Sequence, residues 1–125
     1  MRKASLQSIM ITAAGFLLSA PLPASDVDHY EGKKAETLEE AVTNLREYNG
    51  RLETVLEKEE LSAEDHAQVH RLSYTLENAL QRIEKELPGI AADLESVHLA
   101  SERQESETVR MDGENYLKQV DTLID

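Results

Sequence analysis

The chain has 125 residues, 13 Lys and Arg against 25 Asp and Glu, no Cys, no Trp and one Phe. That length accommodates one small domain, and a formal charge of −12 argues against an electrostatic grip on nucleic acid or anionic lipid, both of which are polyanions. Without Cys the chain has no disulfide, thiolate nucleophile, Cys-ligated metal, c-type haem attachment or lipid-modified cysteine.

The first segment reads as a targeting signal. Arg2 and Lys3 precede an apolar run over residues 9–20, followed by the small and turn-prone Ser19-Ala20-Pro21-Leu22-Pro23-Ala24. A basic start, a short apolar stretch and a small residue at the end form the layout of a secretory signal peptide, residues 1–24, with cleavage expected after Ala24. The run is shorter than the roughly 20 apolar residues that cross a bilayer, so no membrane attachment is expected after cleavage. The expected location is the periplasm. Residues 25–125 keep 11 basic and 25 acidic side chains, a net charge of −14.

Residues 25–36 show no apolar periodicity and contain Gly32, which predicts an extended or irregular lead-in. The bundle domain is expected over residues 37–125. Thr37-Leu38-Glu39-Glu40 has the form of a capping box, with the Thr37 hydroxyl accepting from the Glu40 amide and the Glu40 carboxylate reaching back. After it, Leu38, Ala41, Val42, Leu45, Tyr48, Leu52, Val55 and Leu56 recur three and four apart, predicting a helix over 37–59 that carries Gly50 without losing phase.

Ser62, followed by Glu64 and Asp65, is the next start signal. Two seven-residue series run from it, Val69-Leu76-Ile83-Ile90-Val97 and Leu80-Leu87-Leu94, read as one face. Both pass through Pro88-Gly89 without a change of phase, which favours one helix over 63–102, kinked at Pro88, over two helices broken there. A last helix starts at Ser106, with Val109, Tyr116, Leu117, Val120, Leu123 and Ile124 on its apolar side and Met111 off it. No stretch alternates long enough for a strand. The expected fold is all-α, an antiparallel bundle of three helices with a long middle one, or of four.

Few residues point to chemistry. His66 and His70, at i and i+4, lie on one side of a helix and could share a metal, given further ligands from Glu, Asp, His29 or His98. The spacing is that of a His-Glu-x-x-His zinc protease, but Ala67 stands where that motif needs its general base. By helical phase both histidines fall at the edge of the apolar stripe or in solvent, where a plain surface role is the commoner one. His98 falls nearer the stripe and reads as a hydrogen-bonded residue at the core edge. Its alternative is an axial haem ligand opposite Met111, the one Met after residue 24. Tyr74 projects almost opposite the stripe beside His70. The two are candidate interaction residues on a second contact face, covered by residues 27–30 or by another subunit. There is no Gly-rich phosphate loop and no Ser/His/Asp arrangement with elbow-like flanks, so an enzyme is not expected, nor a cofactor.

Four strings, Val27-Asp28-His29-Tyr30-Glu31-Gly32-Lys33, the helix start over residues 37–42, Tyr74-Thr75-Leu76-Glu77-Asn78-Ala79-Leu80 and Val97-His98-Leu99-Ala100-Ser101-Glu102, resemble a family of small exported helical proteins of Gram-negative bacteria, known as a domain of unknown function. The resemblance implies periplasmic residence and a helical fold, and it carries over no catalytic residue. The functional expectation is a non-enzymatic bundle acting through contacts with an unknown protein or as a homodimer. The alternative is a metal- or haem-binding bundle using His66/His70 or His98/Met111.

Overall fold

The computed structural model describes residues 30–125. They form three helices, α1 (Leu38–Leu56), α2 (Ala63–Glu102) and α3 (Ser106–Ile124), and no strand. The signal peptide expected over residues 1–24, and residues 25–29 of the lead-in with His29, lie outside the described residues.

The starts of α1 and α2 are set by local hydrogen bonding, while α3 begins without a side-chain cap. At α1 the Thr37 hydroxyl accepts from the Glu40 amide at 3.1 Å, as the capping box requires. The Glu40 carboxylate, however, accepts from the Glu36 amide at 2.7 Å, one residue further back than the box predicts. At α2 the box closes fully: the Ser62 hydroxyl accepts from the Asp65 amide, and Asp65 accepts from the Ser62 amide at 2.9 Å. α1 ends at Leu56 rather than at 59, because Glu57, Lys58, Glu59 and Glu60 offer no apolar side chain to hold another turn against α2. Lys58 instead turns back onto the Asp65 carboxylate.

α2 runs through Pro88 without ending, as one helix of 40 residues. Proline removes the amide that would pair with the Glu84 carbonyl. Glu84 and Pro88 are both exposed, so water can serve the freed carbonyl and the interruption is tolerated.

At 1.5 Å per residue α2 is about 60 Å long, and α1 and α3 about 28 Å each. The two short helices lie in tandem along the long one, both antiparallel to it. Ala41 packs on Ala79 in one cluster with Ala35, Leu45 and Ile83, which places α1 on the first half of α2. Val97 meets Gly113, and Asn115 and Gln119 donate to Asp93 at 2.6 Å, which places α3 on the second half. All three helices meet at the waist, where Leu38 and Val42 of α1 and Ile83 and Ile90 of α2 join Tyr116, Val120 and Leu123 of α3.

Most of the molecule is therefore two helices thick, and few side chains are enclosed. Nine hydrophobic residues are buried among those described, four of them alanine, and α3 contributes none. A third layer covers the first half of α2 on one side only. Residues 30–36 form an irregular strap across it: the Lys33 amide donates to the Thr75 hydroxyl at 2.9 Å, and Asn78 donates to the Glu31 and Lys33 carbonyls at 3.0 and 3.1 Å. Arg82 donates to the Ala35 carbonyl at 3.0 Å, and Asn44 of α1 to that of Lys34. These bonds explain why Thr75 and Asn44, both polar, are fully buried: each serves a backbone group that has left regular structure.

Candidate functional site

Three groups of residues can be weighed as sites: the histidines, the aromatic cluster at the strap, and the uncovered side of α2.

His66 and His70 lie one turn apart on α2, both exposed. The His70 imidazole stands edge-on to the Tyr74 ring at 5.2 Å, with Nε2 3.4 Å from the Tyr74 hydroxyl. Among the described residues no three His, Asp or Glu side chains come together as a metal-binding set. His98 departs from its expected place at the core edge. Its side chain is 62% exposed and its Nε2 lies 3.3 Å from the Glu102 carboxylate, because α3 packs on the side of α2 that carries Ile90, Asp93 and Val97. Met111 is 61% exposed on α3, so neither member of that pair faces an enclosed space.

Tyr74 is half-buried, and the strap accounts for it. Tyr30 meets it edge-to-face with ring centroids 6.2 Å apart. Tyr30, Tyr48, Arg51, Gln68, Arg71 and Leu72 line a shallow open hollow beside this cluster. Its arginines already have partners, Arg51 in Glu47 and Arg71 in Glu64 at 3.0 Å, and Arg51 lies over the Tyr48 ring.

Among the described residues the one strongly shifted ionisable group, Asp65, lies in the first turn of α2, beside the turn from α1. Lys58 and then Ser62, which hydrogen-bond the carboxylate, hold it well below the usual carboxylate range against the opposing effect of burial. Its partners are all structural, so the shift marks a helix start rather than a reactive group.

The uncovered side of α2 is the most unusual surface. Leu80, Leu87 and Leu94 are 55%, 47% and 47% exposed, although their series was expected to share the buried face with Ile83 and Ile90. At 100° per residue the three fall within about 40° of arc, some 40–80° to one side of the line through the buried Leu72, Ala79 and Ile90. Thr75, Arg82 and Asp93, which hold the strap and α3, lie on the other side of that line. The tandem layout is the reason: one helix packs on each half of α2, and a single partner covers only part of a stripe this wide. On the outer flank of the leucines stand Glu77, Glu84 and Glu95, all exposed. Leu56 of α1 and Leu117 and Ile124 of α3 add further exposed apolar side chains. The heptad spacing of the leucines was visible in the sequence; that they stay half-exposed among the described residues was not.

The profile described as a family of unknown function, DUF6746, matches residues 1–125, and the chain belongs to that family. Neither curated proteins nor solved structures gave a match.

Proposed function

We propose that this member of the DUF6746 family is an exported, non-enzymatic protein that works in the periplasm through contact with another protein, and that the leucine edge of α2 is the contact surface. The observation that carries the reading is the exposure of Leu80, Leu87 and Leu94 at one helical phase, with none of the described residues closing over them. Single exposed leucines are ordinary, but a row of them at seven-residue spacing is the pattern with which helices recognise one another. Export rests on the basic start and short apolar run of residues 1–24.

The test is a photoreactive residue placed at position 87 in the living cell, with one at the exposed position 104 as control. The reading expects an adduct of discrete mass from position 87 in the periplasmic fraction, and none from position 104. Absence of any adduct at 87, or retention of the chain in the cytoplasm with residues 1–24 attached, overturns it. The same preparation addresses the reading through His66/His70 or His98/Met111: a Soret band or stoichiometric metal in the purified protein would replace protein contact with cofactor binding.

A further inference from the structure

Resting on that reading, we infer that the leucine edge of α2 docks a cationic amphipathic helix of a different protein, and not a second copy of this chain. Leu80, Leu87 and Leu94 offer a ridge about 21 Å long, and with the flanking Glu77 and Glu95 the surface spans about five helical turns, roughly 27 Å. A complementary helix presents its own apolar residues at the same spacing to fill the gaps between them. What selects the partner is the flank. Glu77, Glu84 and Glu95 stand on the outer side of the ridge, and no Lys or Arg lies among them on that side. Those positions correspond to the ones that set partner choice in paired helices, where opposite charges attract and like charges repel.

A second copy would bring an identical row of glutamates against the first, on two chains that each carry a formal −14 over residues 25–125. An anionic lipid surface is disfavoured on the same ground. A helix with Lys or Arg beside its apolar positions gains contact with both the ridge and the row. The acidic flank also steers a cationic partner before contact, so association depends on salt while the leucines set how long the complex lasts.

The experiment titrates the purified protein with a synthetic helical peptide that carries leucine at every seventh and intervening fourth position and lysine beside them. Controls are the same peptide scrambled in order, and one with glutamate in place of lysine. The expected result is binding of the ordered cationic peptide at least about tenfold tighter than either control, a difference of about 1.4 kcal/mol. Combined Leu80→Gln, Leu87→Gln and Leu94→Gln replacement removes that preference. Combined Glu77→Gln, Glu84→Gln and Glu95→Gln replacement weakens binding at low salt and has little effect at high salt. Met111→Gln, an equally exposed position on α3, changes nothing, and unchanged helicity by circular dichroism shows that each variant folds. Equal binding of the scrambled peptide means charge alone and overturns the inference. So does an unchanged affinity in the leucine variant, or a dimer in light scattering that the leucine variant dissociates. An in-cell adduct at position 87 together with no preference for the ordered peptide would end this inference and leave the contact reading standing.

Discussion

Gly32 lies so close to Thr75 that a Cβ on the glycine would stand 2.8 Å from the Thr75 amide nitrogen and 2.9 Å from Tyr74. Its φ of +70° is also one that L side chains rarely adopt. The strap crosses α2 at this point because the residue there has no side chain, and the Lys33 amide can then reach the Thr75 hydroxyl. Gly32→Ala is expected to destabilise the protein by at least about 2 kcal/mol, from backbone strain and the clash together. Urea unfolding followed at 222 nm checks it; a loss within error of zero would mean that the strap is not seated as described.

Asp65 links stability to pH. Its carboxyl is depressed by Lys58 and Ser62, so the stability it contributes is fully present above its ordinary value of 3.8 and is lost as the pH falls from there toward the native value. Asp65→Asn is therefore expected to unfold at a lower temperature than the parent at pH 7. The gap between the two narrows steadily below about pH 4, as Asp65 of the unfolded parent takes up a proton while the native carboxylate stays ionised. Paired melts at pH 7, 4 and 2.5 measure the gap, and a gap that does not change with pH would assign the loss to packing instead.

The turn between α2 and α3 carries a cost that can be removed. Gln104 has φ of 58°, with its amide on the Ser101 carbonyl at 3.2 Å and the Glu105 amide on that of Ala100 at 2.9 Å. This is the helix-ending motif that glycine usually occupies. Gln104→Gly is expected to stabilise the protein by about 1 kcal/mol, the strain of a left-handed residue less the extra freedom of glycine in the unfolded chain. A rise of several degrees in Tm is the corresponding signal for a domain this size.

α3 is expected to be the least protected helix. None of its residues is fully buried, whereas α1 holds Leu38, Ala41, Val42, Asn44 and Val55 out of solvent. Backbone amides exchange at rates set by the local opening free energy, which follows buried contact. Native-state hydrogen exchange is expected to label α3 and the facing end of α2 before α1 and the strap. Uniform protection across all three helices would contradict this.

The local features were legible from the sequence and the lateral ones were not. The bounds of α2, residues 63–102, follow from Ser62, the acids after it and an unbroken apolar phase, and the structure gives those same bounds. The expectation for α1 overruns by three residues because it carries the helix through Glu57, Lys58 and Glu59, past Leu56 where the apolar stripe stops. Leu80, Leu87 and Leu94 are placed at the right phase but on the wrong side of the boundary between covered and open. His98 is misplaced for the same reason. Helical phase states which residues share a side. Whether that side meets one helix or two depends on α1 and α3 lying in tandem, which no short-range pattern encodes. The irregular lead-in and its cover of the Tyr74 face were among the expectations, and Tyr30 does meet Tyr74. The strap's hold on α2 was not legible, because it runs through backbone carbonyls and amides rather than through apolar side chains.

α1 and α3 follow one another along α2 and overlap at the waist, so the fold is a helical hairpin whose second arm is made of two overlapping pieces. Lys118, Asp121 and Asp125 share a cleft with Glu39, Val42 and Arg46, so the C-terminal turns of α3 lie beside the N-terminal turns of α1, midway along the rod. A fluorophore attached at position 125 would accordingly report on the middle of the molecule, not on its tip.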